Sequence, residues 1–267
     1  MLWRYHLGVH KTATTHVQKV LESQREKLLA QGFDYVPLAQ LRPRTAEIFW
    51  KRAFRKLRFR RAVGSSASVM ILSEENWLGS IEDACTYPIY PNLEDRLSIM
   101  PRKNAVAFLA VRNPADFAAS AYSEAMRHVP NLVSLSRTRD AFLSEPSPWF
   151  DLVERVRQFF PRLHVWRYED YRGNEQAFIS LIAGIPVDAS EIPDPLETRR
   201  LPAEVIEELE RLRASGGPVP TAATPESSDG LTRFEMFDDH QKLELTRGYE
   251  RDVDRLRSAG ILVDYPR

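Results

Sequence analysis

Leu2-Trp-Arg-Tyr-His-Leu-Gly-Val-His-Lys-Thr-Ala-Thr-Thr15 carries the first signal of architecture. The apolar run from Leu2 to Leu7 reads as a buried strand and Gly8 to Thr15 as a turn. From about Thr14 a helix begins in which Val17, Val20, Leu21 and Leu28 share one face, while Gln18, Lys19, Glu22 and Arg25 lie on others. A buried strand followed at once by an amphipathic helix is the opening of a parallel crossover. Further apolar runs at Val69 to Leu72, Ala105 to Val111 and Leu163 to Arg167 alternate with helical segments. The alternation predicts a three-layer α/β fold, a mostly parallel sheet with helices on both faces.

Punctuation agrees with this reading. Pro114, Pro148 and Pro202 fall where a first helical turn accepts proline, with Asn113 and Ser147 as caps for the first two, and Phe234 to Ala259 reads as a closing helix. Ile185 to Pro202 carries four prolines, and Ala214 to Gly230 is rich in Gly, Pro, Ser and Thr, so both read as loops. The second loop is expected to be either a mobile lid or a plain connection.

A length of 267 residues suits one large α/β domain, residues 1–267, and 43% hydrophobic with 28% charged residues excludes a largely disordered or fibrous chain. Thirty-seven basic and 37 acidic residues cancel, so no overall field draws the molecule to nucleic acid or an anionic membrane. The single cysteine, Cys85, forms no internal disulfide and excludes thiolate zinc clusters. The start, Met1 to Gly8, lacks the pattern of a signal peptide, and seven apolar residues at 105–111 fall short of the roughly 20 that span a bilayer. The expectation is a cytoplasmic protein with no integral membrane segment, no nucleic-acid partner and no bound metal.

Chemistry is expected at the ends of the strands. A turn from a parallel strand into a helix aims backbone N–H groups and the positive end of the helix dipole outward, which suits an anion. Lys11 adds a full charge, and Thr12, Thr14 and Thr15 add hydroxyls. The alternative is that Thr14 or Thr15 only caps the helix and Lys11 is solvated. The turn departs from G-x-x-x-x-G-K-[ST], because its lysine comes early and no second glycine precedes it. At the end of the next long strand, Arg112-Asn-Pro-Ala-Asp-Phe-Ala-Ala-Ser-Ala-Tyr122 offers a guanidinium and, eight residues on, the hydroxyl of Ser120. The alternative there is a surface ion pair and a small packing residue.

His6 to Thr15 resembles the 5′-phosphosulfate loop of the sulfotransferase family, whose usual core is Lys-Thr-Gly-Thr-Thr after a strand and a glycine. Arg112 and Ser120 resemble that family's 3′-phosphate motif in spacing and placement, and Tyr168-Glu-Asp-Tyr171 resembles its tyrosine-glutamate-aspartate sequence. The resemblance implies a P-loop NTPase-like sulfotransferase fold and use of 3′-phosphoadenosine 5′-phosphosulfate (PAPS, leaving PAP). It also implies a site in which Gly8, Lys11, Thr12, Ala13, Thr14, Thr15, Arg112, Ser120 and Tyr168 hold the nucleotide. Ala13 replaces the family's glycine, which a near-helical backbone accepts and a positive φ resists.

Val69-Met-Ile-Leu-Ser-Glu-Glu-Asn-Trp77 puts two acids past a strand, where a base for the acceptor belongs. Glu75 is the first choice because family members carry Ser-x-Glu here, Glu74 is the reserve, and His10 or His6 are further candidates. An acid at this place also suits a magnesium ligand. Seven of the eleven residues from Lys51 to Arg61 are basic, with Phe54, Leu57 and Phe59 as the apolar side, and Arg199-Arg200 is a candidate basic lid. The expected reaction is sulfuryl transfer to a hydroxyl or amine of an acceptor such as a carbohydrate or small metabolite. The alternatives are an ATP- and magnesium-dependent phosphotransferase and a non-catalytic nucleotide-binding protein.

Overall fold

The computed structural model describes residues 1–50, 55–129, 132–145, 147–190, 200–215 and 232–264. Five strands, β1 (Leu2–His6), β2 (Phe33–Tyr35), β3 (Val69–Ser73), β4 (Ala105–Val111) and β5 (Leu163–Arg167), form one sheet. Its order is β2-β3-β1-β4-β5 and every pairing is parallel. The helices described are α1 (Thr14–Ser23), α2 (Arg25–Ala30), α3 (Leu38–Trp50), α4 (Arg55–Val63), α5 (Leu93–Ser98), α6 (Pro114–His128), α7 (Leu135–Ser144), α8 (Pro148–Arg157), α9 (Glu175–Ala183), α10 (Ala203–Ala214) and α11 (Asp239–Ser258).

All seven residues of β4 are buried, as befits a strand covered on both faces. The two faces have separate cores. Tyr5, Leu72 and Leu109 face a core shared with α6, α8 and α11, while Ile71, Phe108 and Trp166 face another closed by α1 and α9. β1 and β4 are neighbours with registers Trp3↔Ala105 to His6↔Phe108, yet the helices that follow them, α1 and α6, lie on opposite faces. A crevice therefore opens between the carboxyl ends of β1 and β4, the place where ligands of open α/β sheets collect.

Several boundaries differ from the sequence expectation. β2 is only three residues long, too short for an alternating pattern to show. The first helix breaks at Gln24, and Leu28 reaches the same core from α2. Asn113 caps α6 by accepting from the Ala115 N–H, but Ser147 does not cap α8, because its hydroxyl is donated to the Gly248 carbonyl at 3.1 Å. Pro202 is the residue before α10 rather than in its first turn, and the closing helix starts at Asp239 behind an Asp238–Gln241 capping box. In α4 the buried aromatic is Phe59, edge-on to Trp77 at 6.0 Å, whereas Leu57 is exposed, so the apolar side of the basic run is narrower than expected. Phe54 and most of the 214–230 stretch lie outside the described residues; Ala214 itself ends α10.

Candidate functional site

The turn after β1 takes its shape from one glycine and two left-handed residues. A Cβ on Gly8 would lie 2.4 Å from Thr14 Oγ1 and 2.6 Å from its Cγ2, so only glycine lets the start of α1 fold back against the strand end. Lys11 and Ala13 have φ of 63° and 62°, the conformation in which a glycine is comfortable and alanine is strained. Ala13 is the residue before α1 and no side chain caps that end. The helical ladder begins with His16 N–H and Val17 N–H donating to the Ala13 carbonyl, so the Thr14 and Thr15 amides precede it as helix-start donors. Thr12 and Thr14 donate their hydroxyls inward to the Val9 carbonyl, at 2.6 and 3.5 Å, and brace the turn; Thr15 is exposed.

Arg112 joins this turn to the end of β4. Its Nη1 donates to the Lys11 carbonyl at 2.7 Å, its guanidinium lies 4.4 Å over the Tyr168 ring, and it is 8% exposed. Trp149 Nε1 donates to the Arg112 carbonyl at 2.6 Å and fixes the strand end from α8. Glu169 does the same from the turn after β5, accepting from Asn113 N–H at 2.8 Å and from the Tyr249 hydroxyl at 2.6 Å. Lys11, Arg112 and Tyr168 thus come together from three adjacent strand ends. Lys11 Nζ reaches Glu124 Oε2 on α6 at 3.5 Å. Ser120 precedes Glu124 by one turn and so lies on the same face of α6, toward the turn after β1. Burial lowers the Lys11 pKa while Glu124 holds it up.

On the other side of Lys11 stand the acids after β3. Arg42, from α3, grips Glu74 with both Nε (2.8 Å) and Nη2 (2.9 Å), and Asn76 N–H donates to the same carboxylate at 3.0 Å. Glu75 accepts a longer Arg42 Nη2 contact at 3.3 Å. Its pKa is raised, first by burial and then by the charge of Glu74, against the opposing pull of Arg42 and Lys11. His10 lies beside this cluster, its Nδ1 2.8 Å from the Tyr90 hydroxyl, and burial lowers its pKa to about 4. His6 is inside the sheet core, 2.8 Å from Ser73 Oγ and parallel to the Trp166 ring, with its pKa lowered by burial to about 3.

Arg42, Glu124, Tyr90 and Trp149 escaped the sequence reading. Glu124 was open to it, being four residues beyond Ser120 on a predicted helix. Nothing local marks Arg42 in α3 as the partner of acids more than thirty residues away. Arg200 pairs with Asp116 and, at 3.3 Å, with Glu235, and its side chain is buried, so it is committed to tying α6 to the chain before α11. Arg199 lies outside the described residues. No helix among the described residues is long and apolar enough to cross a membrane.

No family model matches this chain, and no curated protein matches it. Among solved structures it is similar to a sulfotransferase from Alicyclobacillus acidocaldarius, at 14% identity over 96% of this chain and 94% of that one, with a TM-score of 0.49. It is also similar to retinol dehydratase in complex with androsterone and the inactive cofactor PAP, at 14% identity over 99% and 82% of the two chains, with a TM-score of 0.38. At such distances the functional reading stands on the geometry of the site.

Proposed function

We propose that the protein is a sulfotransferase that takes a sulfuryl group from PAPS and passes it to a hydroxyl or amine of an acceptor. The observation that carries the reading is the hydrogen bond from Arg112 to the Lys11 carbonyl, which makes two cationic strand ends the walls of one crevice. The residues fit a doubly anionic adenosine carrier. The α1 start without a side-chain cap and the Lys11 ammonium suit a 5′-phosphosulfate, and the Arg112 fork with Ser120 suits a second phosphate. Tyr168, already under a guanidinium, offers a flat wall beside it.

PAPS, when bound, supplies an activated sulfuryl group whose bond to phosphate is ready to break. Lys11 and the turn amides hold the charge that develops on the 5′-phosphate oxygen. Arg112 and Ser120 bind far from the reacting atoms and orient them. Glu75 takes the proton of the acceptor. Arg42 keeps the Glu74 carboxylate occupied through two hydrogen bonds, which leaves Glu75, with its raised affinity for a proton, as the base. The same grip on Glu74 speaks against a magnesium ligand there, and hence against the ATP-dependent alternative. The non-catalytic alternative draws support from the strained Ala13, and it predicts nucleotide binding with no transfer to any acceptor.

Calorimetry with PAP, AMP and ATP tests the reading. Hydrogen bonds to a charged group contribute about 1.5–3 kcal/mol, so PAP should bind about 10- to 100-fold more tightly than AMP. Arg112→Ala should erase that preference, and because it also frees the Lys11 carbonyl it should weaken AMP binding to a smaller extent. Equal affinity of the native protein for PAP and AMP would overturn the proposal. Lys11→Ala should lower kcat for sulfuryl transfer by about 100- to 1,000-fold, the usual cost of one preorganised donor.

A further inference from the structure

Glu124 is unexpected in an anion site. Its Oε2 lies 3.5 Å from Lys11 Nζ and 2.8 Å from Arg127 Nη1, and its Oε1 lies 3.3 Å from His128 Nε2. A carboxylate within reach of an arriving phosphosulfate repels it, unless the carboxylate is neutralised by something other than the lysine that the anion needs. Arg127 supplies that neutralisation. It is 6% exposed, belongs to the same helix as Glu124, and makes the shorter of the two contacts. Lys11 can therefore leave Glu124 without stranding a buried, unpaired charge, a situation that is otherwise strongly unfavourable.

The backbone shows why the lysine rests there. Lys11 is held at φ 63° with its carbonyl fixed by Arg112, and its ammonium lies against the third turn of α6. The local charges agree: Lys11 and Arg127 both face the Glu124 carboxylate, so a guanidinium stays beside it after Lys11 is handed over.

We propose that Glu124 is the resting counter-ion of Lys11, a positioning residue that keeps the ammonium directed into the crevice until the anionic donor takes its place. The proposal rests on the PAPS reading for the identity of the displacing anion, but the latch itself does not. Competition for Lys11 weakens donor binding slightly and confines the lysine to one place.

Two measurements separate the latch from the nucleotide. Acetylation of Lys11 by a water-soluble N-hydroxysuccinimide ester, followed by mass spectrometry at fixed pH without nucleotide, should run several-fold faster in Glu124→Gln. Losing the carboxylate frees the ammonium and lowers its pKa. Calorimetry should show PAP binding about five-fold tighter in Glu124→Gln than in the native protein, the value of one partly buried ion pair. The same change on a Lys11→Ala background should give no gain. Glu124→Asp keeps the charge beside Arg127 but draws it back from Nζ, so it should also speed labelling; it guards against misfolding of the amide variant. Unchanged Lys11 labelling in both variants would overturn the latch. Faster labelling with no PAP binding by any variant would uphold the latch and sink the PAPS reading instead.

Discussion

Ala13 sits at φ 62°, where a residue with a Cβ costs about 1–2 kcal/mol, and Lys11 two residues earlier shares the conformation. Replacing Ala13 with glycine removes that cost but adds unfolded-state entropy of about 0.4–1 kcal/mol. Ala13→Gly should therefore stabilise the protein by roughly 0.5–1 kcal/mol in denaturant unfolding and should tighten PAP binding, since the turn is then held with less strain. A destabilised Ala13→Gly variant would show that the turn in solution is not left-handed there. Gly8 predicts the reverse. Gly8→Ala drives a methyl into Thr14, with no room at 2.4 Å, and should cost about 1–3 kcal/mol with loss of nucleotide binding. At this scale the sequence drew attention to Gly8, Lys11 and Arg112, which the turn brings together, but it did not show that the Thr12 hydroxyl turns inward to the Val9 carbonyl, and it left the backbone of Ala13 open. A φ angle is set by the whole turn, not by one letter.

Helix α6 is the element on which the site depends. It begins at Pro114 behind the Asn113 cap, is anchored by Arg200 on Asp116, and presents Ser120 and Glu124 along one face. Asn113→Ala removes both the cap and the 2.9 Å bond to the Thr246 hydroxyl, and should cost about 1 kcal/mol in unfolding while also weakening PAP binding. The control is Asp238→Ala, which breaks the capping box of α11 and should cost a similar ~1 kcal/mol without changing nucleotide affinity. If both variants lose affinity alike, α6 has no special part in the site. Strand β4 was legible to the residue, because a strand buried on both faces reads as an unbroken apolar run, and β5, with Leu163, Val165 and Trp166 buried, was legible too. β2 and the break between α1 and α2 were not. Their boundaries follow from packing on β3 and from backbone turns at Gln24 and Gln31 that no periodicity encodes.

At the scale of the whole molecule, His6 and His10 are buried where desolvation opposes their charged form. Burial lowers the His10 pKa to about 4 and the His6 pKa to about 3, whereas an imidazole in the unfolded chain takes its proton near 6.5. Between those values the unfolded state binds more protons, so stability should fall by a few kcal/mol as pH drops from about 6.5 toward 4. Glu75, whose pKa is raised, acts in the opposite direction near the bottom of that window and offsets a part. Urea unfolding at pH 7, 6 and 5 measures the slope, and equal stability at pH 7 and 5 would show that the imidazoles are not buried. The parallel sheet flanked by helices and the two strand-to-helix turns after β1 and β4 were determined by the sequence alone, because strand burial and helix periodicity are local properties of the chain. Tertiary structure alone decided which charges meet. Arg42 reached Glu74, Lys11 reached Glu124, and Arg112 reached the Lys11 carbonyl because the crossovers brought distant strand ends side by side, and Coulomb and hydrogen-bond energies depend on distance in space.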